Sequence, residues 1–234
     1  MSELRIISGN IFTSKCQTIV NTVNCVGVMG AGIALECRLR YPAMYQQYST
    51  LCNDRKINIG TLWIYKAPDR WILNFPTKEH WKYPTKEEYL HTGLRKFMDT
   101  YEGRGVESIA FPVLGAQNGG LEATRSIDIM ESYLRDCSIP VEIYQYDPMA
   151  LDDLFDRFKE RMLTLGLDDL KNATGLRNDY INRIRDALAN PNMRQLNQLA
   201  RVNGIGDKTL EKAFAFVRNE ASGTSSLYQR GFDL

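Results

Sequence analysis

The sequence predicts an α/β domain with a mixed central sheet flanked by helices, followed by a small all-helical domain. Two observations carry this reading. Over the first 148 residues, short runs rich in β-branched and aromatic residues alternate with helical patterns, the signature of a layered α/β unit. After Asp147-Pro148 the strand signal stops, and only helical periodicity follows.

Residues 4–7, 18–23, 62–66, 71–75, 108–113 and 141–146 read as strands, because each is a short apolar run bounded by turn formers. Helices are expected at about 31–52, 85–102 and 123–136. Thr85, with Glu88 three residues on, has the spacing of a capping box. Beyond Pro148, residues 151–165, 176–189, 193–202 and 208–218 read as helices. The expected organisation is therefore one domain over 1–148, a helical domain over 149–220 and a flexible tail over 221–234, where Ala221-Ser-Gly-Thr-Ser-Ser226 has linker composition. The final Gln229-Arg-Gly-Phe-Asp-Leu234 only loosely matches a sliding-clamp-binding peptide. No internal repeat is visible.

Composition narrows the function classes without choosing among them. The chain has 234 residues, 44% of them hydrophobic, enough to fill a sizeable core. A formal net charge of +1 leaves no global basic field, so any contact with nucleic acid must be local. The five cysteines form no C-x-x-C pair and have no histidine spacing for zinc, and their odd number argues against a disulfide framework. With no long apolar run and no basic-apolar leader, the expectation is a cytoplasmic protein without metal, cofactor or membrane span.

The most informative segment is Asn21-Thr-Val-Asn-Cys-Val-Gly-Val-Met-Gly-Ala-Gly-Ile33. Asn21 and Asn24 end a β-branched run and offer amide donors and acceptors to a polyhydroxylated ligand. Gly27, Gly30 and Gly32, flanked by Val28, Met29, Ala31 and Ile33, let backbone N–H groups approach a phosphate at a helix start. Alone, this could be an ordinary strand-to-helix connection. A second loop of the same kind, Leu114-Gly115-Ala116-Gln117-Asn118-Gly119-Gly120-Leu121, follows a second apolar strand. Two such loops can grip one diphosphate from both sides.

Together with Gly9-Asn10-Ile11 after the first strand, these loops resemble those of macrodomains, the fold that binds ADP-ribose. The resemblance covers residues 1–147. Trp71-Ile-Leu-Asn-Phe-Pro-Thr77-Lys78-Glu-His80-Trp81 narrows it: this segment is similar to the DNA ADP-ribosyl glycohydrolases called DarG, antitoxins that reverse thymidine ADP-ribosylation by a DarT toxin, and to the terminal ADP-ribose glycohydrolase branch. The resemblance implies that Lys78 attacks the anomeric carbon of the distal ribose. Such a lysine must be neutral, which burial or a nearby positive charge would favour. From spacing alone, Lys78 could equally pair with a pyrophosphate or lie on the surface.

Two departures from the family pattern stand out. Its acid-base aspartate is replaced by Glu122, which could do the same work or simply act as a first-turn helix carboxylate favoured by the dipole. His80 is a further acid-base candidate, although its neighbours suit a packed surface histidine better. The usual adenine-binding aspartate is Asn10, whose amide oxygen can still accept a hydrogen bond, without charge assistance. Among the aromatics, Tyr83, Phe75 and Trp81 could stack on adenine, on the ribose face or on a DNA base. Trp81 is singled out because it follows the lysine and adjoins Lys82.

In the helical part, residues 196–213 resemble a helix-hairpin-helix, whose Gly204-Ile205-Gly206 turn would present N–H groups to a DNA phosphate flanked by Lys208 and Lys212. An ordinary helical hairpin turned by glycines is the plain alternative. Between Lys171 and Arg218, Lys and Arg exceed Asp and Glu by five charges, which suits phosphate contact. The sequence thus points to a glycohydrolase that binds ADP-ribose, acts on ADP-ribosylated DNA and is partnered by a DarT-like toxin. The alternatives are a hydrolase of ADP-ribosyl esters on proteins or of small ADP-ribose derivatives, and a noncatalytic ADP-ribose reader.

Overall fold

The computed structural model describes residues 3–218, which fall into two compact units divided after Tyr146. The expected tail and its clamp-like peptide lie outside the described residues.

The first unit is built on a six-stranded sheet. Its strands are β1 (Leu4–Gly9), β2 (Thr18–Asn24), β3 (Trp63–Lys66), β4 (Trp71–Lys78), β5 (Ile109–Pro112) and β6 (Val141–Tyr146). They lie in the order β1-β6-β5-β2-β4-β3, parallel except for β3, which runs antiparallel to β4 at the edge. All six expected strands form, and the sheet is mixed as predicted.

Because both faces are covered, the central strands are apolar on both sides rather than alternating with polar residues. Val20, Leu73, Phe75 and Phe111 enter one core, with Leu90, Leu94 and Phe97 of α3 (Glu87–Thr100) and Ile129, Met130 and Leu134 of α4 (Ala123–Leu134). Ile19, Val23, Ile72 and Ala110 enter the other, with Cys37 of α1 (Gly32–Arg40) and Met44, Tyr48 and Leu51 of α2 (Pro42–Asn53). Gly93 lets α3 approach the sheet closely, since a Cβ there would collide with the Phe75 ring.

Two details correct the sequence reading. The single helix expected over 31–52 is two helices, broken at Tyr41. Pro42 disfavours helical geometry in the residue before it, and Tyr41 takes φ −130° and ψ 68°. The expected capping box at Thr85 does not form either. Helix α3 begins at Glu87 with Lys86 at its cap, and the Thr85 N–H donates to the Gly119 carbonyl at 2.9 Å instead.

The second unit contains α5 (Phe155–Thr164), α6 (Leu167–Thr174), α7 (Asn178–Leu188), a 3-10 turn (Leu196–Arg201) and α8 (Asp207–Arg218). Its core is formed by buried residues including Phe158, Met162, Leu170, Ile184, Leu196, Leu210 and Phe214. Helix α6 was not anticipated: it is short, lies between Gly166 and Gly175, and ends where Gly175 takes a left-handed conformation (φ 63°). The helix expected over 193–202 is a 3-10 segment, and the Ile205 side chain is buried behind the Gly204-Ile205-Gly206 turn.

Candidate functional site

Ligands of parallel α/β sheets bind beyond the carboxyl ends of the strands, where strand-to-helix loops converge. A cavity of about 840 Å³ lies there, lined from β2, β4, β5 and β6 and from both glycine loops. That volume suits a nucleotide-sized ligand.

The loop after β2 is held by Asn24. Its side-chain oxygen accepts from the Val26 and Val28 N–H groups at 3.0 and 3.3 Å, and its amide donates to the Val28 carbonyl. The Tyr48 hydroxyl donates to the Asn24 main-chain carbonyl. Asn24 lines the cavity, yet these bonds commit its amide to shaping the loop. Val28, Gly30, Ala31 and Ile33 also line the cavity. Met29 is fully buried in the core, Gly27 is a left-handed turn (φ 79°) packed on Ser49 and Cys52, and neither reaches the cavity.

Asn21 corrects the reading of a ligand-facing asparagine. It is 0% exposed, and its amide donates across the sheet to the Asn74 side chain at 2.9 Å. Asn74 in turn donates to the Trp63 carbonyl at 3.4 Å. This amide ladder lies within the sheet, not in the cavity.

The second loop supplies Gly115, Ala116, Gln117, Asn118 and Gly119 to the cavity wall, whereas Leu114, Gly120 and Leu121 do not line it. Leu114 is fully buried. Gln117 holds φ 44°, a region disfavoured for side chains larger than glycine, at the point where the loop faces the cavity. The loops touch one another: a Cβ on Gly32 would come within 2.6 Å of the Asn118 amide nitrogen. Gly32 therefore serves the junction of the loops and is not itself part of the cavity wall.

Lys78 stands at the end of β4, beside a register shift. Val23 pairs with Pro76 and Asn24 with Lys78, so Thr77 is the extra residue that turns the strand end toward the cavity. Thr77 and Lys78 both line the cavity, and the Lys78 Nζ donates to the Asn118 carbonyl. Partial burial lowers the Lys78 pKa from its ordinary value. Among the described lining residues, Lys78 is the sole Asp, Glu, Lys, Arg or His.

Glu122 does not line the cavity. It caps α4, its two carboxylate oxygens accepting from the Thr124 and Arg125 N–H groups at 2.9 and 2.7 Å. These backbone bonds depress its pKa. Glu122 is thus the N-cap of α4, just ahead of the first turn where a helix carboxylate was the plain alternative, and its acid-base assignment is corrected accordingly.

Gly9, Asn10 and Ile11 lie outside the cavity wall as well. Asn10 is buried and caps a 3-10 turn (Ile11–Thr13), its oxygen accepting from the Phe12 N–H at 3.0 Å. The oxygen expected to meet adenine is thus engaged locally. In its place the wall includes Tyr144, Gln145 and Tyr146 at the end of β6, with Pro112 and Val113. Sequence reading missed these residues, although the rule for parallel sheets could have found them once β6 was placed between β1 and β5. The Tyr144 hydroxyl donates to Glu142 at 3.1 Å, and burial raises its pKa.

Trp81 lines the cavity mouth and is half exposed. His80 stacks on it with ring centroids 5.5 Å apart, which realises the packed reading of that histidine. Phe75 is fully buried in the core and unavailable for stacking.

In the helical unit, Lys212 is engaged: its ammonium donates to the Gly175 carbonyl at the end of α6, so its DNA role is corrected to a helix cap. At Gly204 (φ 79°) the Arg183 guanidinium occupies the space of a side chain and donates to the Asn203 carbonyl at 3.1 Å. Gly206 faces open space and Lys208 is exposed.

The chain matches the Macro domain family over residues 20–130. It is 38% identical over 150 residues to the DNA ADP-ribosyl glycohydrolase of Thermus aquaticus, covering 62% of this chain and 41% of that protein. It is 32% identical over 161 residues to a DNA ADP-ribosyl transferase-DNA ADP-ribosyl glycohydrolase fusion protein of Thermosipho africanus, covering 61% and 42%. The chain thus spans less than half the length of these curated relatives. Among solved structures, the macrodomain of Thermus aquaticus DarG superposes with a TM-score of 0.59 at 37% identity, covering 62% of this chain and 99% of that one. Thermosipho africanus DarTG in complex with ADP-ribose gives 0.60 at 33% identity, covering 63% and 42%. The strand order, the paired glycine loops and these likenesses agree that the chain belongs to the macrodomain family, alongside the macrodomains of DarG.

Proposed function

We propose that this protein is a glycohydrolase that removes ADP-ribose from a nucleobase of DNA, that of thymidine, and so counteracts a DarT-like DNA ADP-ribosyltransferase. The observation that carries the catalytic part is Lys78, the one ionisable Lys, Arg, His, Asp or Glu on the described cavity wall, held at a strand bulge with its pKa lowered. The names of the relatives support the substrate.

The chemistry follows from that placement. The two glycine loops hold the diphosphate through backbone N–H groups, which leaves the distal ribose toward the Lys78 end of the cavity. The neutral Nζ lone pair forms a bond to the anomeric carbon while the glycosidic C–N bond breaks, its electron pair passing to the departing base nitrogen. That nitrogen is reprotonated by the proton lost from Nζ. Water then bonds to the anomeric carbon as the bond from that carbon to Nζ breaks; Nζ keeps the electron pair and takes one water proton, so ADP-ribose and the free amine are released. Lys78 thereby performs the step that a carboxylate pair performs in many glycosidases, and Glu122, committed to its helix, is not required.

The helical unit supplies phosphate contacts through Lys208 and the open Gly206 turn, and it steadies the DNA. The test is incubation with ADP-ribosylated DNA and with ester-linked ADP-ribosyl protein side by side. The proposal expects release of ADP-ribose from DNA at the greater kcat/KM. Release from protein alone would replace the DNA substrate with a protein one, and binding without release from either would leave a reader.

A further inference from the structure

Residues 79–85 form a short segment fastened at both ends to the ligand loops. The Cys25 N–H donates to the Glu79 carbonyl at 3.1 Å, and the Thr85 N–H donates to the Gly119 carbonyl at 2.9 Å. Between these anchors the chain turns tightly. The Tyr83 N–H donates to the His80 carbonyl at 3.1 Å, and the Lys82 N–H donates to His80 Nδ1 at 3.2 Å. The turn holds His80 between two aromatic neighbours, its ring centroid 5.5 Å from that of Trp81 and 5.5 Å from that of Tyr83. Trp81 is 50% exposed and Tyr83 64% exposed, among the largest exposures of any hydrophobic side chain described, while Lys82 Nζ lies 5.2 Å from the Trp81 ring centroid.

Large aromatics left this open cost hydrophobic burial, and here they are pinned rather than collapsed into the core. Their position gives them a use. Trp81 borders the cavity that holds Lys78, so in the proposed binding mode the group attached to the distal ribose lies beside it. A base inside a duplex is stacked on both sides and cannot offer its faces to such rings, whereas an unpaired base can. Exposed aromatics beside a cationic side chain are the arrangement that binds single strands without regard to sequence.

We propose that His80, Trp81 and Tyr83 form a stacking platform for single-stranded DNA, with Trp81 taking the modified base and Tyr83 the adjoining one. Lys82 neutralises the intervening phosphate. This deepens the reading of the protein as a DNA ADP-ribosyl glycohydrolase by assigning the residues that hold the modified base and its neighbour, and it rests on that reading.

The experiment uses the full chain and two readouts. Fluorescence polarisation with unmodified labelled oligonucleotides, single-stranded and duplex, reads the platform without catalysis. Rates of ADP-ribose release from a modified single strand and from a modified mononucleotide read it during turnover. The expected result is tighter binding of the single strand than of the duplex. Tyr83→Ala should weaken single-strand binding by roughly 5- to 150-fold, the range of one stacked base, and Tyr83→Phe should restore it. Tyr83→Ala should also lower kcat/KM on the strand more than on the mononucleotide. Equal affinity for single strand and duplex in the parent protein overturns the platform, as does an equal loss by Tyr83→Ala on both substrates. If no modified substrate is cleaved but the single-strand preference and its loss in Tyr83→Ala persist, the catalytic reading fails and the platform stands.

Discussion

In the proposed reaction Lys78 faces two opposing requirements: it must reach an anomeric carbon, yet it must spend part of its time uncharged. Its position at the end of β4, bent inward at Thr77 and resting on the Asn118 carbonyl, meets the first. Burial meets the second by disfavouring the ammonium form. With the neutral amine as the proposed reactive species, single-turnover rates should rise with pH and level off at an apparent pKa below the ordinary lysine value of about 10.4. A rate that falls as pH rises would make the cation the active form. Lys78→Arg separates the same possibilities, since a guanidinium stays charged: it should keep ADP-ribose binding and lose turnover as fully as Lys78→Ala. Glu122→Gln should change turnover by less than about tenfold, short of the ~10²–10⁴-fold loss expected for a general acid or base. A larger loss would return Glu122 to the reaction.

The elements of the sheet were legible in sequence because each strand carries a short apolar run, and in the central strands burial on both faces needs no subtler pattern. The break at Tyr41 was also legible in principle, through Pro42. Less visible were features that depend on contacts distant in sequence. Thr85 has a good local cap signal, but its N–H is claimed by Gly119 of the second loop. Asn21 looks ligand-facing until its register opposite Asn74 is known. The glycine loops announced the cavity, while the β6 residues Tyr144 and Tyr146 did not, because their role follows from strand order. Packing of α3 on β4 gives a stability prediction. Gly93→Ala would drive a methyl group into the Phe75 ring and should cost about 1–3 kcal/mol in chemical denaturation, as overpacked cores do. In the helical unit, Lys208→Glu should weaken DNA affinity and reduce the slope of log affinity against log salt by about one unit or slightly more. An unchanged slope would remove Lys208 from the DNA surface.

At the scale of the whole molecule, the first unit contains both glycine loops, Lys78 and the entire cavity wall. Residues 1–146 should therefore bind ADP-ribose alone, as calorimetry can establish. The helical unit should matter for DNA and little for free ADP-ribose. The central claim is that Lys78 cleaves the bond between ADP-ribose and a base in DNA. Its most direct test is release of ADP-ribose from a thymidine-modified oligonucleotide by the parent protein and by Lys78→Ala, with ADP-ribose affinity measured on both. The account predicts comparable affinity and a rate at least about a hundredfold lower in Lys78→Ala, within or beyond the range lost with a direct chemical participant. Undiminished release by Lys78→Ala would contradict it.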